Sequence, residues 1–275
     1  MRRMRVGIGL PAAVPEADMA LIGDWAAAAE DAGFASVGVI DRLIYDNLDP
    51  LTALAAAAAT TRGIELTSTL INVCWRGNAV LLAKQLASVD RLSGGRLTAG
   101  LGMGGWPADY EASGMSLRGR GKLFDASLDA MEHAWREAGA APQILVGGTV
   151  RASFERAARP MSAGWVSPLF DRATLRDGAA AVGRAWDEAG RPGRPRIMTG
   201  RYFSLGPGAE VTADAYIHHY YGDAYYEAAR SETLTTDEQI ETELRRLAES
   251  GCDDVVLFPC AGDLEHVALL AAEVI

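Results

Sequence analysis

The sequence predicts a parallel (β/α)8 barrel, and three observations carry that expectation. Short apolar runs of strand character alternate with amphipathic stretches of helical spacing across the 275 residues, eight times over. The repeat is about 30 residues long, as expected for one βα unit of an ordinary barrel. The ends of the runs also sort by chemistry: one set is rich in glycine, asparagine and serine, and the other carries Arg96 beside a glycine turn. No linker rich in Pro, Gly and Ser divides the chain, so residues 1–275 read as a single (β/α)8 domain.

The elements follow in order. Residues 5–10 form a compact apolar strand closed by Pro11, and 18–33 an amphipathic helix with a glycine stop. A second strand, 36–40, ends at Asp41 and Arg42. After the loop 43–49, Pro50 sits where a first helical turn tolerates proline. The helix 51–61 follows, its alanines at 55–59 suited to close packing on a sheet. The third strand, 64–71, runs out into Asn72, Val73, Cys74 and Trp75. A helix from Asn78 carries Leu81, Leu82, Leu86 and Val89 and stops at Gly94 and Gly95. The fourth strand, 96–103, opens into a loop through Gly104, Gly105, Trp106 and Pro107.

Beyond it, 121–138 is helical, and the fifth strand, 143–146, ends in Gly147, Gly148 and Thr149. A short helix over 151–159 precedes a weak sixth strand at 164–167, and 173–189 is again helical. The seventh strand spans 196–204, the region 213–249 is mostly helical, and the eighth strand, 252–258, is closed by a helix over 264–274.

Composition narrows the function. A formal charge of −10 argues against nucleic acid and anionic membrane as partners. No apolar run approaches the roughly 20 residues that span a bilayer, and no signal peptide is expected at the start. Cys74, Cys252 and Cys260 form no CxxC pair, so a reducing cytoplasm is the expected setting.

In a barrel, chemistry belongs at the C-terminal ends of the strands. That face receives Asp41, Arg42, Asn72, Val73, Met103 to Gly105, Gly147 to Thr149, Ser167, Pro168, Ser204 and Pro259, whereas 93–96 falls on the opposite, structural face. The spacing of Gly100, Gly102 and Gly105 mimics the dinucleotide fingerprint G-x-G-x-x-G. That motif needs a helix starting on its last glycine, and here the glycines lie largely within a strand. Strand glycines instead admit a bulky group close to the backbone, and a planar cofactor is one such group.

What the face lacks is equally informative. The only lysines, Lys84 and Lys122, lie on helices, which argues against a Schiff-base aldolase. His133, His218, His219 and His266 lie off the strand ends, so no metal site is expected. No carboxylate pair suits a glycosidase. A glycine-rich, acid-poor mouth borrows its chemistry from an organic cofactor.

The run from Lys84 to Gly105, with Leu-Ser-Gly-Gly-Arg at 92–96, resembles the signature of the bacterial luciferase-like flavin-dependent oxidoreductases. So do Asp41 to Leu43, Arg118 to Arg120 and Leu145 to Gly148. The resemblance implies a (β/α)8 barrel, often homodimeric, that binds reduced FMN or coenzyme F420. It places Asn72 and Val73 at a bulge behind the cofactor ring, and Met103, Gly104 and Gly105 along it. Gly147, Gly148 and Thr149 would hold the phosphate at a helix start, with Arg151 one turn in. Asp41 and Arg42 are the candidate catalytic residues, and Trp75 and Trp106 candidate walls of a substrate pocket.

Two departures matter. Some FMN-using relatives carry an arginine near the position of Met103, and methionine cannot hold a phosphate. Many relatives have a histidine where this chain has Arg42, which stays protonated and cannot shuttle a proton near neutral pH. The tyrosines 216, 220, 221, 225 and 226, crowded with His218 and His219, read as core or dimer contact, placed where a lid would form. The leading expectation is a monooxygenase that takes reduced FMN from a separate reductase and oxidises a small organic substrate with O2. The alternatives are an F420-dependent oxidoreductase and a non-catalytic flavin-binding barrel.

Overall fold

The computed structural model describes residues 3–169 and 172–275, with the side chains of 172–174 excepted. Its strands are β1 (Arg5–Gly9), β2 (Ser36–Val39), β3 (Glu65–Asn72), β4 (Leu97–Gly102), β5 (Gln143–Gly147), β6 (Ser162–Val166), β7 (Arg196–Phe203) and β8 (Asp254–Pro259). Each pairs in parallel with the next, and β8 pairs back onto β1 with Asp254 beside Arg5 and Leu257 beside Ile8. The sheet is therefore a closed eight-stranded (β/α)8 barrel.

The helices are α1 (Ile22–Ala32), α2 (Pro50–Thr60), α3 (Ala79–Leu92), α4 (Pro107–Ser113), α5 (Arg120–Ala138), α6 (Arg151–Ala157), α7 (Arg172–Glu188), α8 (Ala209–Tyr221), α9 (Tyr226–Arg230), α10 (Asp237–Glu249) and α11 (Glu265–Val274). Local chemistry sets many of their ends. Asp49 caps α2 by accepting from the N–H groups of Leu51 and Thr52, and Asn78 caps α3 through Leu81. Gly33 closes α1 in the left-handed conformation, with φ +93°.

Three elements differ from expectation. The proline at 107 does not extend a loop but starts α4, because proline fits the first turn of a helix. The stretch 213–249 is broken into α8, α9 and α10, since Gly222 at φ +63° ends the first and Thr236 caps the last. Residues 19–21 form a 3-10 turn ahead of α1 rather than its first turn.

The face at the N-terminal strand ends is held by charge. Arg196 donates to Asp254 at 2.6 Å and to Glu65 at 2.8 Å, and Arg5 pairs with both acids. Arg96 donates to the carbonyls of Ala58 and Thr61, where α2 leaves its last acceptors unpaired, and also to Ile64. The Ser-Gly-Gly-Arg turn thus ties α2 to the bottom of the barrel. Leu145, Val166 and Met198 form one apolar cluster, and a larger one joins the strands to the helical layer.

Candidate functional site

A cavity of about 460 Å³ opens at the C-terminal ends of the strands, a size that suits a small-molecule site. A larger one, about 720 Å³, lies at the opposite face. Its walls are the paired charges of Arg5, Glu65, Arg196 and Asp254 together with the Arg194–Asp253 pair. Those groups satisfy one another, and this face of a barrel holds the fold together. The mouth is the candidate site.

Its floor comes from a bulge in β3. Pairing with β4 shifts register between Ser68 and Ile71, and the Thr69–Leu70 peptide is cis. The resemblance placed this irregularity at Asn72 and Val73, whereas the structure places it before them. Asn72 still pairs in register with Gly102, and Val73 is buried away from the cavity. The bulge brings Leu70 into the mouth. A Cβ on Gly102 would lie 2.6 Å from Leu70 Cδ1, and one on Gly147 2.5 Å from the same atom. These strand glycines therefore make room for Leu70, not directly for a cofactor. Gly104, at φ +79°, makes room for Trp75, whose ring would lie 2.5 Å from a Cβ there. Gly105 alone of the group faces open space.

Trp75 does not line the mouth. It is 3% exposed and packs edge-on against Tyr110, with centroids 5.8 Å apart. The Tyr110 hydroxyl donates to the Met103 carbonyl, so the pair braces the β4 loop from behind. Trp106 does line the mouth, together with Tyr202, Tyr220, Tyr221 and Tyr225.

Asp41 and Arg42, adjacent in sequence, part company. Asp41 lines the cavity, and its two oxygens accept from the Asn72 N–H at 2.7 Å and from Arg76 at 3.0 Å. Burial pushes its carboxyl up to about 6, against the pull of Arg76 and the Asn72 N–H. Arg42 turns away, donates to Asp109 at 2.9 Å and lies 3.9 Å from the Trp106 ring centroid. It is absent from the cavity lining, so its expected place beside the reacting atoms is corrected to one behind Trp106.

On the other side, Gly147, Gly148 and Thr149 line the mouth just before α6 begins. Gly148 is held at φ +129°, and its carbonyl accepts from the Trp165 indole at 2.7 Å. Arg151 is 87% exposed in its side chain, pairs with Glu155 on the surface and is absent from the cavity lining. Of the expected residues, the structure gathers Asp41, Asn72, Met103, Gly104, Gly105, Trp106, Gly147, Gly148 and Thr149 around one cavity. It leaves out Arg42, Val73, Trp75 and Arg151.

Sequence reasoning missed Thr69, Leu70 and Tyr202. Strand alternation through Met198, Gly200 and Tyr202 would have pointed Tyr202 inward, but nothing local announces a bulge. The hydroxyls of Thr69, Ser167 and Ser204 are buried with no partner among the described residues; Thr69 lies in the β3 bulge and lines the cavity, and Ser167 and Ser204 directly follow β6 and β7. A buried unpaired hydroxyl is costly, and of the three only that of Thr69 belongs to a residue lining the cavity. Among the described residues, no group of three His, Cys, Asp or Glu side chains converges as a metal site, and no helix is long and apolar enough to cross a membrane.

An uncharacterised protein of Mycobacterium tuberculosis is 29% identical to this chain over 208 residues, which cover 60% of this chain and 71% of that one. Among solved structures, an F420-dependent secondary alcohol dehydrogenase in complex with an F420–acetone adduct superposes with a TM-score of 0.79 at 15% identity, covering 99% of this chain and 98% of the other. The oxygenating constituent of 3,6-diketocamphane monooxygenase from Pseudomonas putida, in complex with FMN, superposes with a TM-score of 0.76 at 17% identity over 99% and 98%. The model of the luciferase-like monooxygenase family matches residues 4–268, and the chain belongs to that family.

Proposed function

We propose that this chain is an oxidoreductase that holds coenzyme F420 in the barrel mouth and exchanges a hydride with a small organic substrate. The observation that carries the reading is the charge of the cavity. Among the described residues lining it there is no Lys, Arg or His. The nearby cations have carboxylate partners: Arg42 pairs with the buried Asp109, Arg76 with Asp41 of the cavity lining, and Arg151 with Glu155 on the surface. The phosphate monoester of FMN carries close to two negative charges near neutral pH, as a phosphorylated side chain does. The phosphodiester of F420 carries one at that position, its remaining carboxylates sitting on a glutamate tail beyond it, and a turn of backbone N–H groups holds one charge at lower cost than two.

The residues present fit such a group. Gly105 leaves open space at the rim, and the unpaired Thr69 hydroxyl has a bond to give from the floor. Leu70 and Met103 would support the ring, and Gly147 to Thr149 would hold the phosphate. When bound, the deazaflavin supplies the two-electron chemistry. The chain positions it, and the aromatic wall keeps water from the reacting face.

A second reading, oxygenation with reduced FMN delivered by a separate reductase, is favoured by that same water-excluding wall, which suits chemistry that water would divert. The two separate by anaerobic titration of the chain with F420 and with reduced FMN, followed by oxygen uptake during turnover. Tighter binding of F420 by about tenfold, with no oxygen consumed, is the expected result. Tighter binding of reduced FMN with stoichiometric oxygen uptake would replace the first reading by the second. Binding of either without turnover across a panel of alcohols and ketones would leave a cofactor-binding barrel.

A further inference from the structure

We propose that Arg201, which lies outside the cavity, is a positioning residue: it fixes the wall of the mouth formed by Pro168 and Leu169, and through that wall the affinity of the site for its cofactor. The inference rests on reading the mouth as the cofactor site, and it names what holds one side of it.

The wall begins where a backbone ladder fails. Pairing between β6 and β7 ends with Val166 beside Met198, and one more backbone bond follows, from the Ser167 N–H to the Met198 carbonyl at 2.8 Å. Pro168 has no N–H, so the ladder cannot continue through it. Side chains of β7 take over. Thr199 Oγ1 donates to the Pro168 carbonyl at 3.1 Å, and Arg201 Nη1 donates to the Leu169 carbonyl at 2.9 Å. Arg201 Nη1 also donates to Thr199 Oγ1 at 3.1 Å, so both carbonyls hang on one linked set of donors. Gly200, between the two, leaves room for the loop, since a Cβ there would lie 3.2 Å from Leu169 Cγ. Pro168 and Leu169 both line the cavity, and Leu169 packs against the cluster that holds Tyr202 and Phe258.

Arg201 is an unusual residue for its place. Strand alternation turns Gly200 and Tyr202 toward the barrel interior and Thr199 and Arg201 toward the helical layer, where apolar side chains are the rule. Arg201 is nevertheless only 1% exposed. Its Nε donates to Glu243 of α10 at 2.7 Å, and Glu232 lies 3.9 Å away. Taking such a pair out of water costs about as much as its attraction returns, and an apolar pair of similar volume holds a core at least as well. An apolar pair cannot bond the carbonyl of a loop. The position of the wall, rather than the stability of the barrel, is what the buried guanidinium supplies, and a site held by such fixed bonds is preorganised for its ligand.

The test compares Thr199→Val and the double variant Arg201→Met with Glu243→Leu against the parent. Arg246, which also bonds Glu243, is 31% exposed and keeps contact with water in the double variant. Three quantities are measured: melting temperature, hydrogen exchange over 163–169, and affinity for F420 and for reduced FMN by anaerobic titration. The double variant is expected to melt within a few degrees of the parent. Exchange at Ser167 should rise at least about tenfold, with exchange in β1 unchanged, and the cofactor that the parent binds should bind at least about tenfold more weakly. Thr199→Val should show the same pattern at about threefold to fivefold, and it decides alone if the double variant does not fold. Parental exchange and parental affinity in a folded variant would overturn the proposal, as would losses of affinity that only track losses of melting temperature. A parent that binds neither cofactor, with exchange still raised locally in the variants, would keep Arg201 as the holder of the wall and sink the cofactor reading. A parent that binds F420, with variants that bind it equally, would do the reverse.

Discussion

Arg42 donates from Nε to Asp109 Oδ2 at 2.9 Å and thereby ties the loop after β2 to α4, while its sequence neighbour Asp41 is bonded to Arg76. Asp109 is fully buried in its side chain and Arg42 nearly so, at 8% exposure. The other Asp109 oxygen accepts from the Ile44 N–H at 2.9 Å. One pair thus fixes two loops of the mouth and the Trp106 ring that Arg42 covers.

Arg42→Ala is therefore expected to destabilise the fold. Removing one partner strands a buried carboxylate, at a cost of about 3 kcal/mol or more. The urea midpoint should fall markedly, and a double variant Arg42→Met with Asp109→Asn should recover part of the loss. A parental midpoint for Arg42→Ala would show that the pair is not a structural tie.

Asp41 gives the mouth a pH dependence of stability. Its carboxyl is raised by burial from 3.8 to about 6, so the folded chain holds that proton more tightly than the unfolded one. The contribution to stability is fully present below about 3.8, is lost as pH rises through about 6, and is constant above that. The penalty at neutral pH is of the order of 3 kcal/mol. Asp41→Asn removes the ionisation, so the stability of the parent relative to this variant should decline between pH 4 and pH 7. Urea unfolding at several pH values checks it, and a constant difference would place Asp41 in a wetter setting.

Two glycines of the mouth should respond in opposite ways. A Cβ on Gly148 would lie 2.3 Å from Ser153 Oγ, at a φ of +129° that side chains resist. Gly148→Ala is expected to lower the melting temperature by several degrees. Gly105 has open space, so Gly105→Trp should leave melting unchanged and weaken cofactor binding by at least about tenfold. Paired melting and binding curves decide this, and unchanged affinity in Gly105→Trp would move the cofactor out of the mouth.

The bottom of the barrel should govern acid stability without touching the site. Burial raises the Glu65 carboxyl, but Arg196, Thr98 and Arg5 outweigh it and hold it below its usual range. Its contribution is present above that usual range and is lost as pH falls through the lowered value. Arg196→Met should cost about 3 kcal/mol by leaving Glu65 and Asp254 under-compensated, with cofactor affinity unchanged. A loss of affinity equal to the loss of stability would mean that the two faces are coupled.

The sequence by itself determined the barrel, because its evidence is local. Helix and strand periods, the caps at Asp49 and Asn78 and the stop at Gly33 each depend on a few neighbouring residues. Eight repeats of such units allow few closed arrangements. The strand ends that carry the mouth were legible for the same reason, and so was the Leu-Ser-Gly-Gly-Arg run at 92–96 that resembles the family. Only the tertiary structure decided what each residue does there. Leu70 enters through a bulge whose register is set against β4, and Gly102 and Gly147 answer to Leu70 across the barrel. Arg42 found Asp109, 67 positions away, rather than the acid beside it. Tyr202 met Tyr221 across the gap between β7 and α8. Side-chain partners are chosen by distance in the folded chain, and closing the barrel brings together residues that no local spacing relates.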